Sequence, residues 1–186
     1  EIAARESRVH VLHRTGKLGL GTAYVAGFRW GIERGYDVLI EMDADFSHDP
    51  ERLPTMLSLL EKDADVAIGS RYVKGGGTRN WPWSRILLSR GGSLYARIIT
   101  WLPVRDTTAG FVCYRREVLE TLNLDAITFL GYAFQIEMKF ASWKLGFRIV
   151  EVPIIFEDRK MGISKMHKGI IQEGVLGLLR LRWSSL

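Results

Sequence analysis

Val38-Leu39-Ile40-Glu41-Met42-Asp43-Ala44-Asp45-Phe46-Ser47-His48-Asp49-Pro50 decides the fold, because an apolar run stops there at two carboxylates spaced i, i+2. Val38, Leu39, Ile40 and Met42 suit a strand inside a parallel sheet covered by helices on both faces. In such sheets ligands bind beyond the carboxyl ends of the strands. Asp43 and Asp45 fall at such an end, where a turn lets their side chains converge on one hard cation, magnesium or manganese, shared with diphosphate oxygens. The competing reading is a plain turn closed by an Asx hydrogen bond, and these residues alone leave both open. Asp49-Pro50 reads as a helix cap with proline at the first helical position.

Upstream, Val9 to His13 has the composition of a short strand, and Thr15 to Gly21 reads as a turn into a helix from Thr22 to about Glu33. Its glycines lack the spacing of a phosphate-binding loop or a dinucleotide fingerprint, but Lys17 remains a candidate neighbour of a phosphate. Downstream, Leu53, Met56, Leu57 and Leu60 mark the apolar face of a second helix. Asp65 to Gly69 is then a strand ending at Ser70-Arg71-Tyr72. This βαβ alternation puts Arg71 on the same sheet edge as Asp43 and Asp45 if the strands run parallel.

Val73 to Asn80, with three consecutive glycines, reads as a loop that either closes over substrate or merely connects. Ser84 to about Trp101 has a helical pattern in which Arg85, Arg90 and Arg97 interrupt Ile86, Leu87, Leu88, Leu94, Tyr95, Ile98 and Ile99. A buried helix with solvated arginines and an interfacial helix with arginines at lipid phosphates both fit. Asp106, in the turn before a strand at Phe111 to Tyr114, either orients an acceptor or caps that turn. Phe134 to Ala141 favours a helix, with Gln135 and Glu137 as candidates for the site wall. Phe147 to Phe156 is a strand whose Pro153 belongs near an edge or at a bulge. Gly169 to Trp183 is amphipathic and either lies on an anionic surface or packs on the core.

With 186 residues, 47% hydrophobic and 25% charged, the chain can form one globular domain and is not of disordered composition. Its net charge of +5 favours anionic partners. The one cysteine, Cys113, sits among apolar residues and reads as a buried thiol, so no disulfide framework forms within the chain. No apolar stretch reaches membrane-spanning length, and no nucleic-acid motif is present. Glu1 to Glu6 read as the end of a helix, which suggests a fragment lacking its opening strand and helix.

Seven segments run in one order along the chain: GLGTAYVAGF (19–28), MDADFSH (42–48), GSRYVKGG (69–76), NWPWSR (80–85), AGF (109–111), GYAFQIEM (131–138) and EVPIIFEDRKMGISK (151–165). With them the chain resembles the polyprenol-phosphate (dolichol-phosphate) mannose synthase branch of the family 2 glycosyltransferases. The resemblance implies an α/β, Rossmann-like GT-A fold with a mostly parallel central sheet and flanking helices, N-terminally truncated here. Residues 1–165 would be the catalytic domain and 166–186 an amphipathic membrane-surface helix.

The resemblance further implies an inverting enzyme moving mannose from GDP-mannose to a polyprenyl phosphate with a divalent cation. It would be peripheral on the cytoplasmic face of a membrane, with a separate membrane subunit as a further partner. Asp43, Asp45 and Ser47 would hold the cation. Asp43, Ala44, Asp45, Lys17 and Arg159 would serve the donor diphosphate. Arg71, Arg85, Arg159 and Lys165 would serve the acceptor phosphate, with Arg71 counted beside the two acids as catalytic. The family's upstream nucleoside-binding acidic motif has no counterpart in this sequence.

The chemistry is coherent. A departing nucleotide needs its charge neutralised, and a lipid phosphate with a second pKa of about 6 attacks without a dedicated base. His48 then serves as a hydrogen-bonding support rather than a proton shuttle. The alternatives are another sugar, glucose or N-acetylglucosamine from a UDP-sugar, or a non-catalytic module that binds anionic lipid.

Overall fold

In the computed structural model, which describes residues 5–131, 133–158 and 177–183, strand β1 (Val38–Glu41) ends at the two acids and forms one edge of a four-stranded sheet. The chain then runs through a turn at Pro50–Arg52, helix α2 (Leu53–Lys62) and strand β2 (Val66–Ser70). Helix α1 (Leu20–Glu33) precedes β1. After β2 come a short strand β3 (Gly77–Arg79), helix α3 (Trp83–Thr100), strand β4 (Val112–Arg115) and helices α4 (Arg116–Thr121) and α5 (Ala133–Lys144). Strands β5 (Ile149–Pro153) and β6 (Ile155–Glu157) follow.

The sheet order is β1-β4-β2-β5. Strands β1, β2 and β5 point one way, and β4 runs against them between β1 and β2, with Leu39 opposite Tyr114 and Ala67 opposite Cys113. Three of the four strands are therefore codirectional, as expected, but β1 and β2 are not neighbours. The reason is topological. The chain leaves β2 at the carboxyl edge, passes through α3 and re-enters at that same edge, so it makes no crossover and must run downward as β4. The carboxyl ends of β1, β2 and β5 thus share one edge with the loop that enters β4.

Side-chain alternation sorts the two faces of the sheet. Leu39, Val66, Ile68, Val112 and Tyr114 pack with Phe28 of α1, Ala96 of α3, Val118 and Leu119 of α4, and Phe134 and Met138 of α5. Ala67, Phe111, Cys113 and Val152 pack on the other face with Met56 and Leu60 of α2. The result is three layers, with β2 buried along its whole length. Local chemistry sets the helix starts. The Asp49 carboxylate accepts from the Glu51 N–H with Pro50 beside it. The first N–H groups of α1, from Leu20 and Gly21, instead donate to the Leu130 carbonyl. A Cβ at Gly21 would stand 2.4 Å from the Phe129 carbonyl oxygen, so glycine is required for that approach.

Three expectations change. Residues 9–13 are exposed and join no sheet among the described residues; His10 instead rests on Trp30, ring centroids 5.0 Å apart. Their alternation is suited to a strand, but no strand edge is presented beside them. The expected strand at Phe147 to Phe156 divides at Pro153-Ile154. There β5 ends, and β6 pairs in parallel with β3 in a second, two-stranded sheet. Pro153 has no N–H to continue the ladder, while the Ile154 N–H goes to the Ser70 carbonyl and its carbonyl accepts from Gly77. The glycine-rich stretch after Val73 is accordingly part strand, and Gly76 is pressed so close to Ser70 that a Cβ would meet its carbonyl at 2.5 Å. Near the end of the chain, Leu178 and Leu181 join the main core while Leu179 and Trp183 face outward.

Cys113 is fully buried, and burial pushes its thiol up to about 12. Only the thiolate attacks disulfide reagents. The native protein at pH 8 is therefore expected to react with a chromogenic disulfide many times more slowly than the urea-unfolded chain, as followed by thiolate release.

Candidate active site

Beyond β1 the chain turns sharply. Phe46 adopts a left-handed φ of 64°, a conformation that costs a non-glycine residue about 1–2 kcal/mol. The turn folds Ser47 and His48 back under Asp43 and Asp45. Asp45 Oδ1 accepts from the Ser47 N–H at 3.1 Å, so the Asx turn is present. It does not exhaust the carboxylate, which offers about four acceptor sites. The Asp43 N–H donates to His48 Nδ1 at 3.0 Å. That bond makes Nδ1 an acceptor, and burial lowers the imidazole pKa against the pull of Asp43. His48 is therefore a neutral prop beneath the acids, as expected.

The donor set fits a hard cation. Asp43 and Asp45 supply anionic oxygens, and the buried Ser47 Oγ has no hydrogen-bond partner among the described residues. Within the same residues no three of His, Cys, Asp and Glu gather into a metal cage. Two carboxylates and a hydroxyl leave positions for phosphate oxygens, the usual manner of holding magnesium at a diphosphate.

Arg71, at the end of β2, reaches the same edge and is 8% exposed. Asp106, with no exposure, takes three bonds from it: the backbone N–H at 2.9 Å, Nε at 2.7 Å and Nη2 at 2.6 Å. Nη2 also donates to Thr108 Oγ1 at 3.0 Å. Asp106 itself is held by Glu151, whose carboxylate accepts from the Arg105 and Asp106 N–H groups. Asp106 is thus more than a turn cap. It is the buried counter-ion of Arg71, and the pairing raises the guanidinium pKa against the lowering effect of burial.

An aromatic wall joins the two halves of the site. Phe156 lies 5.3 Å from the His48 ring and 5.7 Å from the Arg71 guanidinium carbon. Trp81 packs on Phe156 and lies under both guanidinium groups, 5.3 Å from Arg71 and 4.0 Å from Arg85. Arg85 pairs with Asp158 at 2.8 Å. Glu157 N–H donates to the Ser47 carbonyl, which clips β6 to the acidic turn. The structure therefore brings Asp43, Asp45, Ser47, Arg71 and Arg85 to one end of the sheet, with Ala44 exposed between the acids.

Lys17 is exposed in the turn before α1, and no described bond links it to the acids. Two N-terminal N–H groups of α1, from Leu20 and Gly21, already donate to the Leu130 carbonyl and so are not offered to a phosphate. Arg159 and Lys165 lie outside the described residues. Glu137 is no part of the site wall, because it caps the Thr128 and Phe129 N–H groups. Gln135 does reach β1, donating to Glu41 Oε2 at 2.5 Å. The aromatic wall was not anticipated. Its one legible sign was the run Trp81-Pro82-Trp83, while Phe156 acquired its place only when its strand changed sheets.

A family model described as glycosyl transferase family 2 matches residues 1–122. The chain is 54% identical to an undecaprenyl-phosphate mannosyltransferase of Micrococcus luteus, over 99% of this chain and 77% of that protein. It is 52% identical to a polyprenol monophosphomannose synthase of Mycolicibacterium smegmatis, over 92% of this chain and 65% of that protein. It superposes with a TM-score of 0.59 and 16% identity on glucosyl-3-phosphoglycerate synthase from Mycobacterium tuberculosis, solved with Mn2+, UDP-glucose and phosphoglyceric acid. The superposition covers 95% of this chain and 57% of that one, and it establishes the shared fold.

Removing Asp106 alone leaves a buried guanidinium unpaired. Asp106→Ala is expected to lower unfolding stability by about 3–5 kcal/mol, and Arg71→Met with Asp106→Leu to recover most of that loss in urea titrations.

Proposed function

Starting from the fact that the chain belongs to glycosyl transferase family 2, we propose that it carries out mannosyl transfer from a nucleotide sugar, GDP-mannose, to a polyprenyl phosphate, with inversion at the anomeric carbon. The observation that carries the reading is the convergence at one sheet edge of an acid pair, an orphaned serine hydroxyl and two arginines bound by one aromatic wall. The names of the 54% and 52% identical relatives support mannose as the sugar and a polyprenyl phosphate as the acceptor.

Asp43, Asp45 and Ser47 hold a divalent cation, Mg2+ or Mn2+. When bound, it neutralises charge developing on the departing nucleotide diphosphate. Asp43 and Asp45 orient the diphosphate through that site, with His48 fixing the Asp43 backbone. Lys17 and Arg159 complete the donor side. Arg85, a quarter exposed, attracts the acceptor phosphate together with Arg159 and Lys165. Arg71 contributes from behind, as a charge locked by Asp106, rather than by gripping an oxygen. No side chain is needed to take a proton from the attacking group, since a phosphate monoester is largely ionised near neutral pH.

The protein works peripherally at a membrane, and the exposed face of α3 supports this. Trp83, Leu87, Leu94, Ile98 and Trp101 recur at helical spacing and face outward; Trp83 and Leu87 are 83% and 75% exposed. Helix α3 contains three arginines and no acid, and Arg182 lies 3.9 Å over Trp101 beside the exposed Trp183. Apolar and cationic residues so arranged suit the headgroup boundary of an anionic bilayer. Arg85 sits in the first turn of this helix, on the side away from the exposed apolar face, so seating α3 on the bilayer keeps the site beside the membrane. No described helix is long and apolar enough to cross a membrane.

Asp43→Asn and Asp45→Asn are each expected to lower mannose transfer about a hundredfold or more, with wild-type transfer abolished by EDTA and restored by Mn2+. Transfer by the wild type that ignores EDTA would overturn the assignment of the acids. Leu87→Glu with Ile98→Glu is expected to abolish co-sedimentation with phosphatidylglycerol vesicles while leaving transfer to a short, soluble polyprenyl phosphate intact.

A further inference from the structure

One buried cation lies away from the residues that face substrate. Lys139 of α5 is completely buried, where an aliphatic side chain of similar volume would avoid the several kcal/mol that desolvating an ammonium costs. Its three protons have three acceptors: the Ala109 carbonyl at 2.7 Å, the Gln135 carbonyl at 3.0 Å and Gln135 Oε1 at 3.0 Å. The last bond fixes which way the Gln135 amide faces. With Oε1 turned to the ammonium, Nε2 points at Glu41 and donates to its Oε2 at 2.5 Å.

Glu41 is the last residue of β1, two before Asp43, and it is 1% exposed. Ala109 belongs to the loop that carries Asp106 and Thr108, the partners of Arg71. Gln135 and Lys139 stand one turn apart on α5, and between them they hold both loops of the site. Glu137 of the same helix binds the Thr128 and Phe129 N–H groups, and the adjoining Leu130 carbonyl accepts from the first turn of α1. Helix α5 is buried on every side from Ala133 to Ser142, and Gln135, Glu137 and Lys139 reach out from it to β1 and to loops, while Ser142 bonds back to the Met138 carbonyl.

We propose that Lys139 is a positioning residue for the transfer site, acting through Gln135 to set the acidic turn after β1 in register with the loop that carries Asp106. The proposal rests on the reading of Asp43 and Asp45 as cation holders for its functional consequence, and on the bonds alone for its mechanical one. A lysine suits the task because its ammonium donates to three acceptors in three directions, which no apolar side chain and no neutral amide does. Gln135 stands between the two charged groups, so the Lys139 ammonium is fully hydrogen-bonded while Glu41 keeps one buried oxygen, Oε1, without a described partner; removing the lysine deprives that carboxylate of its nearest buried cation.

The test compares wild type, Lys139→Met, and Glu41→Gln with Lys139→Met, in the full chain. Amide hydrogen exchange reads the mechanical part. Lys139→Met should speed exchange at residues 41–48 and 105–110 together and leave α2 unchanged, and unchanged exchange at either loop overturns the proposal. The Mn2+ concentration for half-maximal transfer reads the functional part, expected to rise about 10–100-fold, the usual cost of losing a group that orients ligands.

The double variant separates positioning from simple stability. It removes the stranded carboxylate charge and should recover urea stability, yet keep the raised Mn2+ requirement. Return of the Mn2+ requirement to the wild-type value along with stability would reduce Lys139 to a structural counter-ion. Calorimetric titration with Mn2+ and GDP distinguishes the two readings. A wild type that does not bind Mn2+ sinks the reading of Asp43 and Asp45 as cation holders and leaves the exchange result to decide on the bridge.

Discussion

The carboxylate of Asp106, wholly removed from water, accepts three hydrogen bonds from one arginine, and the site is assembled on that contact. A buried ion pair is a poor source of net stability, because desolvation consumes most of the attraction. Its value lies in geometry. Bidentate contact between guanidinium and carboxylate allows one orientation, so the end of β2 and the entry to β4 cannot drift apart. Glu151 extends the constraint to β5 by binding the N–H groups of Arg105 and Asp106.

Around this contact the polar groups form a continuous layer beneath the carboxyl edge of the sheet. Glu41, Gln135, Lys139 and Ala109 link β1 to the loop of Asp106, and that loop links onward to β2 and β5. Above it stands the aromatic wall of His48, Phe156 and Trp81, which excludes water from one side of Arg71 and supports Arg85 on the other. Asp43, Asp45 and Arg85 are therefore partly exposed at the rim, while the buried charges below brace the loops that carry them. This division suits a reaction with no proton to remove, in which the protein chiefly places anions and screens them.

Much of this was legible beforehand because it depends on local pattern. The apolar run ending at Asp43, the Asp49-Pro50 cap and the spacing of Met56 and Leu60 all act over a few residues, and each appears where local chemistry puts it. Arg71 was assigned to the right edge from the direction of two strands alone. The role of Asp106 was not legible, because its partner is 35 residues away and a carboxylate before a strand looks alike as cap or counter-ion. Phe156 was read as the end of a strand rather than as a wall, since the change of sheet at Pro153 depends on Ser70 and Gly77 from distant parts of the chain.

Residues 9–13 show the converse limit: alternation describes a segment able to pair, and pairing needs an edge beside it. By itself, then, the sequence determined the identity of the chemistry, two acids at the end of a strand with arginines nearby, and the helices and strands that deliver them. Only the tertiary structure decided which charges meet solvent and which meet each other. Burial and counter-ion choice arise from the insertion of β4 between β1 and β2, and that return of the chain along a single edge is written in no local pattern.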